Sequence, residues 1–218
     1  MFTMGIKKIS NISNQVPTLD TIIRLSGLHP ARVFNVYLFG SRVYGTSDQN
    51  SDWDVIMIAN NSVESTEIRK GLFNIHVYTP DKFVKDLEWH RINNLECIWA
   101  PDWARLKESI KFEKFKINNN KLRHALSHIS SNSWVKCRKK LTVENEYYIG
   151  IKSLFHSIRI PMFGSQIAEH GRIIDYTCAN ELWNKLKKSH WDWSSLDSEF
   201  RPILNQEISK FRRLAPKV

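Results

Sequence analysis

Two aspartates separated by a single residue, Asp52 and Asp54, stand where a polar segment gives way to an apolar run ending at Ile58. Alternate residues of a β-strand point to the same face, so the two carboxylates are predicted to project together. Neighbouring carboxylates repel each other unless a cation lies between them. Carboxylate oxygens with room for substrate phosphates are what Mg²⁺ prefers. The pair therefore predicts a site for Mg²⁺ or Mn²⁺.

A second small feature precedes the acids, because another apolar run ends at Gly40 and Ser41. A turn-rich polar loop follows these residues and leads to Asp52. Small residues at a turn allow backbone N–H groups to approach a phosphate closely. One short segment thus offers a phosphate-binding turn and a divalent-metal site. The plainer alternative is a polar turn before a half-buried strand that carries two solvated acids.

Gly-Ser, a spacer of this length and Asp-x-Asp entering a strand resemble the signature of the DNA polymerase β-like nucleotidyltransferase superfamily. The resemblance covers roughly residues 33–78, with a weaker similarity in the C-terminal half. It implies transfer of a nucleoside monophosphate from a nucleoside triphosphate (NTP) such as ATP to a hydroxyl, with Mg²⁺ ions. Gly40, Ser41 and Arg42 would then hold phosphates. Asp52 and Asp54 would bind the metal and support catalysis.

The resemblance also implies a third acid on the following strand, and this chain has none there. The polar face of residues 72–78 carries Asn74, His76 and Tyr78. Asn74 best matches the position of the acid and His76 is the second choice. An amide oxygen can ligate Mg²⁺ but cannot accept a proton, whereas His76 can serve as a base or can simply hydrogen-bond near the sheet edge. Glu96, in a later helical segment, is a further candidate.

The absent acid leaves two classes of function open. The first is a metal-dependent nucleotidyltransferase, and the second is a catalytically silent relative that binds nucleotide, nucleic acid or a protein partner. The base used, the acceptor and the oligomeric state also remain open at this stage.

Three polar residues share one face of a predicted helix over residues 145–160. Lys152, His156 and Arg159 are spaced i, i+4 and i+7, which brings them to one side of a helix. Predicted nucleotidyltransferases with a helical C-terminal half look similar. The resemblance implies that these side chains meet the triphosphate across a cleft from Gly40, with Arg159 binding it bidentately. The alternative is a solvated polar face.

The formal net charge of +10 is unevenly distributed along the 218 residues. Residues 1–100 hold ten basic and ten acidic residues, whereas residues 101–218 hold 22 basic and 12 acidic ones. A basic half suits a polyanionic partner, so RNA or DNA binding is expected in the C-terminal half. The densest basic cluster comprises Lys136, Arg138, Lys139 and Lys140. Such a cluster can also be merely solvated.

The patterns predict an α+β fold, in which a small mixed sheet with helices on one face is followed by a helical region. We place a nucleotidyltransferase-like core at residues 1–100 and a basic helical region at residues 101–218. Strands are expected at Val33–Phe39, 54–59 and 72–78. Helices are expected at residues 18–26, from Pro80, and at 121–140, 145–160, 165–170, 179–188 and 196–213, and a short helix is considered at 64–70. Pro161 and Gly164 are predicted to separate the helix at 145–160 from the helix at 165–170, and Pro202 to start or kink the last helix.

The remaining composition predicts a soluble, cytoplasmic protein. Three widely spaced cysteines without a CxxC pair argue against a disulfide framework or a zinc site. No apolar run reaches membrane-spanning length. Residues 1–14 lack the apolar core of a signal peptide.

Overall fold

The computed structural model describes residues 15–217. Residues 1–14, for which we predict no signal peptide, lie outside the described part. The centre of the described part is a five-stranded sheet in the order β3-β4-β2-β1-β5. The strands are β1 Val33–Phe39, β2 Trp53–Ala59, β3 Ser65–Lys70, β4 Phe73–Tyr78 and β5 Arg105–Glu108. The mixed sheet and the helices around it form the predicted α+β fold.

The register of the central strands places the polar residues of the predicted site at one end of the sheet. β1 and β2 are antiparallel, and Phe39 at the end of β1 lies opposite Asp54. β2 and β4 are parallel, with Asp54 opposite Asn74. The turn that follows Phe39 therefore begins directly beside Asp54 and Asn74.

The helix considered for residues 64–70 was wrong, because this segment forms β3. Glu67, Arg69 and Lys70 favour helix locally, but β3 pairs antiparallel with β4 along its length, from Ser65 opposite Tyr78 to Lys70 opposite Phe73. Gly71, at φ +58°, makes the tight turn between the two strands. β3 is largely exposed, and an edge strand with one open side tolerates such polar residues.

The helices of the N-terminal half begin and end where capping residues occur. In α1 (Leu19–Ser26) the side chain of Thr18 accepts from the backbone N–H of Thr21. In α3 (Pro80–Glu88) Thr79 caps the helix in the same way and Pro80 occupies the first turn. Two further helices lie near the site, namely α2 (Ser41–Tyr44) and α4 (Ile92–Ile98).

The C-terminal half contains four helices in the described residues. They are α5 Asn119–Thr142, α6 Tyr147–His170, α7 Asn180–Lys187 and α8 Trp193–Leu214. The predicted separation at Pro161 and Gly164 was wrong, since α6 runs through both residues. Proline at 161 removes the hydrogen bond to the carbonyl of Ser157, but the hydroxyl of Ser130 donates to that carbonyl at 2.6 Å. α8 likewise begins nine residues before Pro202 and continues through it.

One hydrophobic core extends across both halves of the chain. It includes strand residues such as Tyr37 and Ile56 together with Leu122 of α5, Phe163 of α6 and Phe211 of α8. A second cluster, around Trp134 and Phe200, lies within the helical half. The division at residue 100 stays a prediction, and the sheet itself continues beyond it because β5 pairs with β1.

Two further observations concern the described residues as a whole. None of the helices described between residues 15 and 217 has the length and apolar character needed to cross a membrane. All three cysteines, Cys97, Cys137 and Cys178, are free thiols.

Candidate active site

Gly40 and Asp54 approach each other so closely that no side chain fits between them. Gly40 has φ +81° and ψ −159°, a region that is essentially restricted to glycine. A Cβ atom added there would lie 2.3 Å from Oδ2 of Asp54. The carbonyl of Gly40 accepts from the N–H groups of Val43 and Tyr44 at 3.0 and 3.1 Å, which begins α2. The turn therefore lies directly against the Asp54 carboxylate.

The two aspartates interact electrostatically. Asp52 is exposed, whereas Asp54 is half-buried. Burial, followed by the negative charge of Asp52, raises the pKa of Asp54 to about 6. Interactions with Asn74 and Lys152 lower this pKa, but they do not offset the first two effects. The acids thus carry an excess of negative charge that a cation would stabilise.

Asn74 lies opposite Asp54 in the pairing of β2 with β4, and its amide interacts with the Asp54 carboxylate. Oδ1 of Asn74 is buried and has no hydrogen-bond partner among the described residues, and its Nδ2 lies 3.2 Å from Nε2 of His76. A buried polar atom without a partner is costly in an isolated chain, and an amide oxygen is a normal ligand of Mg²⁺. The oxygens of Asp52, Asp54 and Asn74 therefore fit a divalent cation. No group of three His, Cys, Asp or Glu suited to a metal occurs within residues 15–217.

A cavity of about 310 Å³ lies between the end of the sheet and the helical half. From the sheet side, Gly40, Ser41, Asp54 and His76 line it. From α6, the lining residues are Lys152, His156 and Arg159. The structure thus brings seven of the ten predicted site residues to one cleft, although they are far apart in sequence. Asp52, Asn74 and Arg42 are not among the lining residues.

The two cations on the predicted polar face of α6, Lys152 and Arg159, differ in how deeply they are buried. The ammonium of Lys152 lies 5.3 Å from the ring centre of Tyr148 and lowers the pKa of Asp54 across the cleft. Nδ1 of His156 lies 2.9 Å from Nη2 of Arg159. Burial and the charge of Arg159 hold the pKa of His156 well below its usual range. His156 is therefore neutral at pH 7 and can accept a hydrogen bond from the guanidinium.

Arg159 belongs to a buried network behind the cleft. Its side chain is 2% exposed, and Nη1 lies 3.5 Å from Oε1 of Glu96, which is 1% exposed. The guanidinium stacks 3.5 Å from the ring centre of Tyr44, and the Tyr44 hydroxyl donates to Glu96. Burial raises the pKa of Glu96. Glu96, a candidate for the third acid, thus faces Arg159 and Tyr44 inside the protein.

The guanidinium of Arg42 is engaged by protein groups and is not presented to the cleft. Its guanidinium donates twice to the carbonyl of Ser51, at 3.2 and 2.6 Å, and stacks 4.4 Å from the ring centre of Trp53. These contacts hold the loop between α2 and β2 closed. The loop in turn determines where Asp52 lies.

Sequence reasoning did not single out several residues of the cleft. The additional polar and aromatic lining residues include Tyr44, Asn93, Ser133, Tyr148 and Trp183. Tyr44 follows Ser41 by three residues, which is one helical turn, so its position carried a local signal. The others come from separate helices, and only the tertiary packing brings them to the cleft.

Comparison with known proteins agrees with this geometry. Residues 22–123 match the family model of the nucleotidyltransferase domain. No curated protein matches the chain by sequence. Among solved structures, a spectinomycin adenyltransferase from Enterococcus faecialis, determined with ATP and spectinomycin, is similar over 90% of this chain and 100% of its own, with 12% identity and a TM-score of 0.41.

The Gly-Ser turn against Asp-x-Asp, the mixed sheet and the family match define a class of enzyme. Residues 22–123 match a nucleotidyltransferase domain, which supports the predicted resemblance to the DNA polymerase β-like superfamily. The protein is accordingly a transferase that moves a nucleoside monophosphate from a nucleoside triphosphate.

Proposed function

We propose that the transfer depends on a divalent metal, Mg²⁺ or Mn²⁺, and that the acceptor is a hydroxyl group. The observation that supports this best is the approach of Gly40 to Asp54 at a cleft whose opposite wall carries Lys152 and Arg159. An anionic substrate entering this cleft would meet a metal site on one side and cations on the other. The three free thiols suit a reducing compartment such as the cytoplasm.

Asp52, Asp54 and the Oδ1 of Asn74 would hold the metal. A bound divalent cation supplies charge stabilisation to the attacking and leaving oxygens of phosphoryl-type transfer. Asp54 lies on β2 and Asn74 on β4, and the register of these two parallel strands makes the two residues direct neighbours. Because all three donors are oxygens, the set favours Mg²⁺ or Mn²⁺ over softer metals.

The triphosphate would lie between the Gly40 turn and α6. Backbone N–H groups at Ser41 can approach its oxygens because Gly40 has no side chain. Lys152 would act as a point charge, whereas Arg159, which is buried and paired with Glu96, would support this wall of the cleft from behind. His156 would orient Arg159. For Arg42 we propose a role in holding the loop that carries Asp52, in place of a phosphate contact.

His76 is the side chain that we assign to accept the proton of the acceptor hydroxyl. It lines the cleft, and burial lowers its pKa below the ordinary value, so that it is neutral at pH 7. A neutral imidazole can accept a proton, whereas the amide of Asn74 cannot. A His76→Gln variant is expected to bind NTP normally and to transfer the nucleotide about 10²- to 10⁴-fold more slowly.

The decisive experiment combines each labelled NTP with Mg²⁺ or Mn²⁺ and measures both binding and transfer. Binding of NTP in the presence of metal is expected for the wild type and is expected to be lost in Asp52→Ala/Asp54→Ala. Asp81→Ala, which removes an exposed acid outside the cleft, is the matched control. The proposal fails if the double variant binds and transfers nucleotide as well as the control does.

A further inference from the structure

Two basic grooves lie outside the catalytic cleft, on the surface around the start of α5. The first has a volume of about 520 Å³, and its basic and aromatic lining residues are Lys111, Lys114, Lys116, Lys121, Phe112 and Phe115. The second has a volume of about 500 Å³, and its basic and imidazole residues are Arg123, His124, His128, Arg212 and Lys217. The role proposed above for the cleft uses none of these residues.

The first groove combines lysines with aromatic surface. Trp89 beside it is 59% exposed, and the ammonium of Lys121 lies 5.6 Å from its ring centre. Lys114 and Lys116 are exposed, with no ion pair to any residue that the structure describes. One acid, Glu88, is also present in the lining. Cations beside an exposed aromatic ring are the combination that binds single-stranded nucleic acid.

The second groove contains no acidic residue in its lining. Nη1 of Arg123 donates to the carbonyls of Arg212 and Ala215 at 3.2 and 3.4 Å, which holds the end of α8 against α5. Arg212 and Lys217 have no ion pair within residues 15–217. This concentration of uncompensated positive charge is suited to phosphate groups.

Residues at the start of α5 line both grooves, and the first groove is close in sequence to the lining of the cleft. Asn118 and Lys121 line the first groove, and His124 lines the second. Asn118 and His124 are about 9 Å apart along the axis of α5, because a helix rises 1.5 Å per residue. His90 also lines the first groove. It precedes Ile92, a lining residue of the catalytic cleft, by two positions in the chain.

The densest basic cluster of the sequence is less suited to this purpose. Lys139 lies 2.7 Å from Glu144, and Lys140 lies 3.0 Å from Glu146 and also pairs with Glu144. Acids therefore compensate half of the predicted cluster. Around the two grooves Lys111 pairs with Glu108, whereas Lys114, Lys116, Arg212 and Lys217 have no ion pair among the described residues.

We infer that single-stranded nucleic acid binds along a basic band formed by Lys114, Lys116, Lys121, Arg123, Arg212 and Lys217, with Trp89 stacking on a base. A terminal hydroxyl of this strand enters the cleft as the acceptor, so the inference rests on the proposed function. In the reaction the hydroxyl oxygen bonds to the α-phosphorus, the α–β phosphoanhydride bond breaks and pyrophosphate leaves. The net reaction releases the hydroxyl proton to solvent as the new phosphoester bond forms.

Binding is measured by fluorescence anisotropy with a labelled 20-nucleotide single strand, once as RNA and once as DNA of the same sequence, without NTP. The variants are Lys114→Ala/Lys116→Ala, Arg212→Ala/Lys217→Ala and Trp89→Ala. The control is Lys188→Ala/Lys210→Ala, which removes two exposed lysines that line neither groove. Each double variant of the band is expected to reduce the slope of log K against log salt by about 1.4. Trp89→Ala is expected to weaken binding about 5- to 150-fold.

The same variants then receive labelled NTP and metal, so that this inference and the proposed function are tested separately. Normal NTP binding with loss of label transfer to the strand supports the band as the acceptor surface. Asp52→Ala/Asp54→Ala is expected to bind the strand normally and to transfer nothing. The inference is overturned if the wild type binds neither strand, or if the band variants bind the strand as the control does. Transfer to a protein acceptor alone also overturns it.

Discussion

At the scale of single residues, the site depends on the lack of a side chain at Gly40. Gly40 has no Cβ, and this absence permits the turn after β1 to lie against the Asp54 carboxylate. The sequence indicated that a small residue was needed for phosphate approach. The structure adds that the same glycine makes room for the acid itself.

A Gly40→Ala substitution is therefore expected to slow transfer strongly. The backbone strain alone costs about 1–3 kcal/mol, and the new Cβ would overlap Oδ2 of Asp54. Displacing that carboxylate by about 1 Å lowers the rate of transfer on the order of 10²-fold. Denaturant unfolding and transfer rates are measured together.

Gly171→Ala is the matched control, because Gly171 also has a left-handed φ of +72° but has open space around it. It is expected to lose about 1–2 kcal/mol of folding stability and to keep its transfer rate. Equal rates in the two variants would show that the approach of Gly40 to Asp54 is not needed.

Asn74 occupies the place where the superfamily resemblance implies an acid. An Asn74→Asp variant places a third carboxylate beside Asp54. Without metal, repulsion among the acids is expected to lower the melting temperature. With Mg²⁺, the added charge is expected to increase the metal-induced rise in melting temperature and to raise the transfer rate by up to about two orders of magnitude.

The control for that prediction is Asn205→Asp, the same change at an exposed position of α8. It is expected to leave the response to Mg²⁺ unchanged. If Asn74→Asp responds to Mg²⁺ as the control does, residue 74 is not a metal ligand.

At the scale of helices and strands, local sequence patterns predicted an element correctly where residues within or next to that element set its bounds. β1 was predicted with its observed bounds because an apolar run ends at glycine. β3 was predicted as a helix because its residues favour helix locally, and only pairing with β4 makes it a strand. The continuity of α6 through Pro161 depends on the hydroxyl of Ser130, 31 residues earlier. Such partners cannot be identified from a local pattern.

The close packing of α6 can be tested with two of its glycines. Alanine at a helix-interior glycine gains about 1 kcal/mol of helix propensity. At Gly164 a Cβ would lie 2.8 Å from ring atoms of buried Phe211, and overpacking costs about 1–3 kcal/mol. Gly164→Ala is therefore expected to have a lower unfolding free energy than Gly150→Ala.

Gly150→Ala serves as the control, because its Cβ would lie 2.9 Å from Cδ2 and Cγ of the half-buried Leu141 side chain and at an ordinary 3.5 Å from the carbonyl of Cys137, with no buried ring beside it. That side chain can move, so a neutral or stabilising effect is expected by denaturant unfolding. A more stable Gly164→Ala variant would contradict the packing of α6 on α8.

At the scale of the whole molecule, the cleft exists because two chemically different halves share one core. The neutral half brings the acids and the Gly40 turn, whereas the basic half brings Lys152 and Arg159. The charge asymmetry could be predicted from the sequence. The pairing of Arg159 with Glu96 could not, because it joins α4 to α6 across the core.

The shared core leads to a prediction about fragments of the chain. A fragment of residues 1–117 would lack Leu122, Phe163 and Phe211, which belong to the same core as the strands. Losing a buried Phe or Leu side chain typically costs about 2–5 kcal/mol each, and a domain is stable by only about 5–15 kcal/mol. The fragment is therefore expected to show no cooperative unfolding transition by circular dichroism. Co-expression with residues 118–218 is expected to restore both the transition and NTP binding, whereas a cooperatively folded fragment alone would mean that the sheet is an independent domain.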